Sequence, residues 1–402
     1  MKRVVITGQG TINALGRDVG ATLDAMSRGV CAISNMDFPN VDRLSIKIGG
    51  QVHGFDPSKY FERQQLSLYD RFTQFAVIAA NEAIAQSGLI FDGILAQTSG
   101  VVLGTAGGGL QTQDENYRTV YEDGKNRVHP FVVPRLMNNA AVSHVSMVHN
   151  LKGPSFTVST ACASSNHAMG QAFNLVRCGA APVMVTGGSE SMLCFGGIKA
   201  WEGLRVMSSD GCRPFCATRN GMVQGEGGAV FVFEEYDHAR ARGAEILAEI
   251  SGFAMSSDAG DIVMPSVGGA RRAIAAALSD AKMNADEVGY INAHGTGTTA
   301  NDKVETAAIK EVFGDHAKNL MVSSTKSMHG HLIGGTGAVE LLACIAALKD
   351  GMIAPTVGYS TPDPTCDLDV VPNTARHKKV DAAISNAFAF GGLNAVIALR
   401  SV

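Results

Sequence analysis

The sequence is short of charge. Only 17% of its 402 residues are Asp, Glu, Lys or Arg, against about a quarter in ordinary globular chains. Nor is there a basic excess: 33 Lys and Arg stand against 37 Asp and Glu, a net charge of −4. A nucleic-acid partner is therefore not expected. No apolar run reaches the roughly eighteen residues of a spanning helix, so no membrane partner is expected either. The start, Met1-Lys2-Arg3-Val4-Val5-Ile6-Thr7-Gly8, has too short an apolar run for a secretory signal. The eight cysteines are scattered. They read as reduced, mostly buried thiols of a cytoplasmic protein, not as a disulfide framework. Cys212 and Cys216 lack a second Cys/His pair at finger spacing, so no structural metal is expected there.

What is abundant is small and apolar. Hydrophobic residues make up 46% of the chain, and it has 46 glycines. Such a chain buries a large core and, with so little charge, surface against a second subunit as well. Apolar strands alternate with helical patterns, which predicts an α/β fold. Val4–Thr7, Gly100–Gly104, Pro182–Thr186 and Gly228–Phe233 read as strands, the first ending in a Gly-rich turn at Gly8-Gln9-Gly10. The spacing of apolar residues predicts a helix over Arg71–Gly88. In the second half Gly268–Ala281 and Gly335–Leu348 read as helices, and Val288–Asn292, Ala382–Asn386 and Asn394–Leu399 as strands. Both halves show a helix, a buried strand and a Gly-rich turn. This predicts a duplicated unit, residues 1–250 and 251–402, with a seam near Glu249–Asp261.

Four motifs carry chemistry. In Thr157-Val158-Ser159-Thr160-Ala161-Cys162-Ala163-Ser164-Ser165, a cysteine sits where a strand turns into a helix. The positive helix end predicts a lowered pKa and a nucleophilic thiolate. A buried structural cysteine is the competing explanation. In Asn292-Ala293-His294-Gly295-Thr296-Gly297-Thr298-Thr299, an imidazole and the hydroxyls of Thr296 and Thr298 follow a buried strand. A lone histidine there is more often a satisfied core residue. The run Ser323-Ser324-Thr325-Lys326-Ser327-Met328-His329-Gly330-His331 precedes a helix carrying Glu340. Lys326 could neutralise negative charge and fix His331. Metal ligation by His329 and His331 lacks further ligands at a matching spacing. Last, Phe388 and Phe390 precede the flexible pair Gly391-Gly392. The other Gly-rich turns lack the spacing of a dinucleotide fingerprint, and no organic cofactor is expected.

In this order, one Cys, two His and a Lys resemble the β-ketoacyl-acyl carrier protein synthases, elongating synthase II type. The resemblance spans the chain: VVITG, GTAGGG, TACASS, VTGGSESM, NAHGTGT, STKSMHGH and AFGGLN. It implies the thiolase fold, two α/β halves in αβαβα layers, forming a homodimer. It implies decarboxylative condensation of malonyl-acyl carrier protein with an acyl chain held on Cys162. His294 and His331 would assist decarboxylation, with Lys326 and Glu340 supporting them. Phe390 would be the gatekeeper, and its N–H and that of Cys162 the oxyanion hole. Thr296, Thr298 and Phe388 would line the substrate site. Arg127, Arg205 and Lys125 would dock the acidic carrier protein, with Arg63 and Arg71 set aside as surface charges. The family also carries a structural monovalent cation, whose ligands the sequence does not reveal.

Three departures matter. Ala389 replaces the glycine usual before the gatekeeper, which should stiffen the gate. Leu393 stands where Thr is usual. Gly107 stands where a bulky residue often plugs the acyl pocket, which predicts longer or unusual acyl chains, as in nodulation-type or very-long-chain relatives. Thiolases need a second cysteine near residue 390, and initiating synthases a His/Asn pair; neither is present. The alternative function is a catalytically weak partner or specificity subunit of a fatty acid or polyketide synthase. The intact Cys/His/His/Lys set argues for the enzyme.

Overall fold

A computed structural model describes all 402 residues. Ten strands form one sheet: β1 (Val4–Asn13), β2 (Gly100–Gly104), β3 (Ser155–Val158), β4 (Val183–Glu190), β5 (Gly227–Glu235), β6 (Ala248–Ser257), β7 (Tyr290–Asn292), β8 (Met321–Ser323), β9 (Ala382–Ala389) and β10 (Leu393–Arg400). Their spatial order is β3-β2-β4-β5-β1-β6-β10-β9-β7-β8. The first five strands and the last five therefore each run 3-2-4-5-1 in their own chain order. The pairing senses also repeat. β2 is parallel to both its neighbours, as is β7, while β5 and β10 are antiparallel to theirs. The sets meet where β1 and β6 pair antiparallel, Val4 opposite Ile250.

The helices complete five layers. α1 (Arg71–Ser87) and α2 (Ala140–His149) cover the outside of the first set. α3 (Ser164–Arg177) and α8 (Thr336–Asp350) lie between the sets and touch strands of both. α5 (Val267–Asp280) and α6 (Thr299–Phe313) cover the other outside. Two further helices are α4 (Phe195–Gly203), whose Trp201 lines the cavity described below, and the short, buried α7 (Lys326–His329). A helix sandwiched between sheets must be apolar all round, and α8 is buried from Thr336 to Leu348. This is the αβαβα order of the thiolase fold.

Three expectations need correction. β1 does not end at Gly8-Gln9-Gly10 but runs through it to Asn13. These glycines serve close packing: a Cβ on Gly8 or Gly10 would run into the α1 carbonyl oxygens of Ala83 or Ala79. β4 likewise continues through Gly187-Gly188 to Glu190. The divide at 250/251 falls inside β6, since the strand order starts the second set at Ala248. Gly88, expected to end the first long helix, caps α1 in the left-handed conformation, φ +68°, as a C-cap glycine does.

Candidate active site

Cys162 lies in the turn between β3 and α3, two residues before the helix begins. The turn is tight. Ala161 has φ +48°, a conformation costly for a residue with a Cβ. Ser164 Oγ holds it closed, accepting from the Thr160 N–H (2.8 Å) and donating to the Ala161 carbonyl (2.7 Å). Cys162 is buried, and burial pushes its thiol up to about 11 despite the nearby Lys326. The lowered pKa expected from the helix end is therefore not found: loss of water outweighs Lys326 and the backbone N–H groups that favour the thiolate. These are the N–H groups of Phe390 and Cys162.

His294 follows β7 in a loop held by a residue not anticipated from the sequence. Glu305, fully buried on α6, accepts from the His294 N–H and the Gly295 N–H, 2.8 Å each, and from Asn386 Nδ2 (3.1 Å). His331 follows α7. Its Nδ1 accepts from the Ile333 N–H (3.2 Å) and the Thr336 hydroxyl (2.8 Å). An accepting Nδ1 puts the hydrogen on Nε2, and Nε2 has no partner in the protein. His331 thus offers an N–H donor. Burial and Lys326 hold both histidines well below their ordinary pKa, so both are neutral at pH 7. Lys326 Nζ is bonded to Glu340, and both are fully buried. Burial raises the Glu340 carboxyl to about 7.

The fold brings three of these groups together. Ligating atoms of Cys162, His294 and His331 lie within 4.8 Å of one another, and the imidazole rings are edge to face at 5.4 Å. A metal would need a lone pair on His331 Nε2, and the Ile333 N–H disfavours that tautomer. His329 is no ligand either. Its nitrogens lie 2.7 Å from the Gly330 carbonyl and 3.0 Å from the Thr325 hydroxyl.

A cavity of about 270 Å³ opens onto this group. Thr296, Thr298, Phe388, Phe390 and Arg205 line it. The Thr298 hydroxyl also caps α6, and Phe388 packs edge-on against His294. Ala389 and Leu393 are accommodated without strain. Ala389 ends β9 opposite Leu393, and the left-handed residues of this hairpin are Gly391 and Gly392. No glycine is required at 389 in this conformation.

Other expected residues stand elsewhere. Lys125 and Arg127 lie on an exposed segment outside the cavity, Lys125 paired with Asp123 at 3.3 Å. Arg71 is not a surface charge: it grips buried Glu226 through Nε (2.9 Å) and Nη2. Gly107 does not line the cavity. A Cβ there would run into the terminal methyl of Met192, so Met192 occupies the room that the glycine leaves. Glu190 was also missed. Buried at the end of β4, it accepts from the Thr105 hydroxyl and the N–H groups of Ala106, Gly107 and Gly334. A lone acidic residue between small ones gives no sign of such partners.

Comparison with known proteins agrees with this geometry. Residues 1–239 match the family model of the beta-ketoacyl synthase N-terminal domain, and residues 247–360 that of its C-terminal domain. Nodulation protein E of Rhizobium leguminosarum bv. trifolii is 48% identical, covering 100% of both chains. 3-Oxoacyl-[acyl-carrier-protein] synthase 2 of Staphylococcus aureus is 39% identical over 99% of this chain and 98% of its own. A type II polyketide ketosynthase solved with its acyl-carrier protein superposes with a TM-score of 0.90, at 30% identity and 100% coverage of both chains. The chain belongs to the β-ketoacyl synthase family.

Proposed function

We propose that this chain is a 3-oxoacyl-[acyl-carrier-protein] synthase that lengthens acyl chains by condensation with malonyl-acyl carrier protein. One observation carries the proposal: a cysteine whose thiolate two backbone N–H groups favour shares one cavity with two neutral imidazoles, their reactive atoms all within 4.8 Å of one another. The names of the S. aureus relative and of the ketosynthase–carrier complex support it.

The chemistry follows from the donors. Cys162 sulfur attacks the incoming thioester carbonyl. The new S–C bond forms, the carrier's C–S bond breaks, and the carrier thiol leaves with the cysteine's proton. The malonyl thioester then loses CO₂. The electron pair of the broken C–C bond moves into an enolate, whose oxygen His331 Nε2–H and His294 stabilise as neutral donors. The enolate carbon attacks the acyl-Cys162 carbonyl. The resulting oxyanion lies in the hole formed by the Cys162 and Phe390 N–H groups, and its collapse releases the lengthened product and the Cys162 thiolate. Aimed donors of this kind typically contribute a factor of about 10²–10³ each. The covalent acyl-enzyme makes the kinetics ping-pong.

The acyl chain extends past Cys162 toward Met192 and Gly107. Met192 shares one apolar cluster with Cys162, and a thioether is a compliant filler. Gly107 with a movable Met192 fits long or unusual acyl chains. Gly107→Ile should shorten the longest chain accepted, and an unchanged profile would sink this. Arg205 at the cavity, with Arg127 and Lys125, would dock the carrier.

A second copy of the chain would pair along β3. This strand is a sheet edge, and Phe131, Val133, Met137, Met147 and Phe156 are exposed around it. Exposed edges and apolar patches of this kind mark interfaces. A homodimer would run as a dimer in light scattering. A structural monovalent cation also fits. Asn166 Oδ1, Asn292 Oδ1, Ser385 Oγ, Asn386 Oδ1 and Glu340 Oε2 are buried without hydrogen-bond partners, on strands and helices that adjoin. Such hard oxygens suit a hard cation, which would offset the buried carboxylates.

The deciding experiment is intact-mass analysis after incubation with acyl-carrier proteins of medium to very long chain, then malonyl-carrier protein. The expected result is an acyl adduct, absent in Cys162→Ala, that discharges as a lengthened product. A folded protein taking no adduct from any chain would point instead to a partner subunit.

A further inference from the structure

Phe390 joins two functions in one residue. Its backbone N–H favours the Cys162 thiolate, and the residue lines the cavity together with Cys162. It sits at the tip of the β9–β10 hairpin, before two glycines with φ +80° and +68°. The tip is tied down beyond the ring. The Gly391 N–H donates to the Ile262 carbonyl (2.8 Å), and the Asp258 N–H to the Gly392 carbonyl (2.9 Å). Neither bond restrains the Phe390 side chain.

One aromatic ring does. Trp201, the only tryptophan of the chain, stacks on Phe390 with centroids 5.9 Å apart and planes 27° from parallel. Both rings are half-buried, and both line the cavity. Trp201 belongs to α4, and α4 is anchored. The neighbouring Glu202 accepts from the Ser45 N–H (2.6 Å) and Ile46 N–H (2.9 Å), and holds Lys199 at 2.8 Å. A fixed ring on a helix therefore faces a ring at a glycine-hinged tip.

We propose that Trp201 is a positioning residue that latches Phe390 over the reaction centre. With the stack made, the Phe390 N–H stands in the oxyanion hole and the ring narrows the approach to Cys162. With the stack parted, the approach widens and the hole loses a donor. Trp201 thus restrains loading of Cys162 and supports condensation, two effects of opposite sign from one contact. This rests on the condensing-enzyme function proposed above. An aromatic stack of this kind shifts such a balance by about three- to tenfold.

The test uses the full-length protein and two half-reactions. Loading is followed by mass with hexanoyl-pantetheine, and condensation by malonyl-pantetheine consumption on preloaded enzyme. Trp201→Ala should load about three- to tenfold faster and condense slower by a similar factor. Trp201→Phe, which keeps a stacking ring, should restore both. Changes of the same sign in both half-reactions, or no rescue by phenylalanine, would overturn the proposal. Indole emission supplies a readout free of chemistry. Phe390→Leu should raise acrylamide quenching of Trp201 at least about twofold in the unloaded enzyme. Unchanged quenching would overturn the latch whether or not Cys162 can be loaded. Absence of loading in every variant, with quenching raised as expected, would count against the condensing function and leave the stack established.

Discussion

The two halves of the molecule share one strand order and differ in what they deliver. In each, the third strand leads through a turn into the helix of the middle layer. In the first half that turn is residues 159–163, and it carries Cys162. In the second it is residues 324–335, long enough to hold α7, and it carries Lys326 and His331. The loops after the second strands also correspond. That after β2 is held by Glu190, and that after β7 by Glu305. The former packs against Met192 at Gly107, whereas the latter presents His294. One architecture used twice thus brings a nucleophile from one side and neutral donors from the other. The acyl group is held by the first half, and the negative charge of decarboxylation is stabilised by the second.

Separating these roles gives the largest expected effect. His331→Ala removes one donor from the enolate site, so condensation should fall about 10²–10³-fold while acylation of Cys162 continues nearly unchanged. Intact mass reads the first step and CO₂ release the second. Equal loss in both would break the division between halves. The same donors fix the pH response. An ordinary histidine is half charged near pH 6.5, but burial and Lys326 hold both imidazoles well below that. The imidazoles should therefore add no break to condensation on preloaded enzyme as pH falls from about 8 to 6, and a break near 7 would belong to the buried Glu340 carboxyl, raised to about 7. A fall centred near 6.5 that persists in Glu340→Gln would mean that an imidazole is hydrated and chargeable.

The two turns are also stabilised differently. The second contains the buried pair Lys326–Glu340; the first relies on neutral hydroxyl bonds from Ser164. Removing one member of a buried pair strands the other, at about 3–5 kcal/mol. Lys326→Met should lose roughly that much in urea unfolding. Lys326→Met with Glu340→Leu should recover most of it without recovering activity. A single variant as stable as the parent would show that the pair serves chemistry alone.

How much of this was legible in the sequence depends on the range of the contact. Cys162, His294, Lys326 and His331 each lie at or within two residues of the end of a strand or helix, inside a short run of small residues, and that local context can be read. The repeat was visible as a pattern of elements, because strand and helix periods survive when residues diverge. Glu305 was not visible: the N–H groups it serves are ten and eleven residues away, at the far end of a loop. Trp201 and Phe390 are farther apart still. The Cys162 pKa was misjudged for a related reason, since the helix end is local and the burial that opposes it is supplied by the whole fold. Gly8 and Gly10 mark a helix packed against a strand, which an isolated Gly-x-Gly cannot distinguish from a turn.

A smaller effect compares the two carboxylates that hold the loops. A hydrogen bond to a charged group contributes about 1.5–3 kcal/mol. Glu305→Gln should lower condensation more than acylation, because it releases the His294 loop. Glu190→Gln should instead alter which acyl chains load, because it releases Ala106 and Gly107. Unfolding midpoints should fall in both. If both variants lost condensation selectively, the loop after β2 would belong to the donor site rather than to the acyl wall.

The smallest effect is at Ser164. Its hydroxyl closes the turn before Cys162 and keeps Ala161 at φ +48°. Deleting it removes two neutral bonds, each contributing about 1 kcal/mol, and the left-handed alanine then has less to hold it. Ser164→Ala should therefore cost about 1–2 kcal/mol in stability and slow acylation by a few-fold. Condensation on enzyme already loaded should change less, because the thioester and the two N–H donors then help to fix the turn. Pre-steady-state loading rates measured beside malonyl turnover would resolve this. The opposite ranking, with condensation more affected than loading, would mean that the first half's turn sets the oxyanion hole more than it sets the nucleophile.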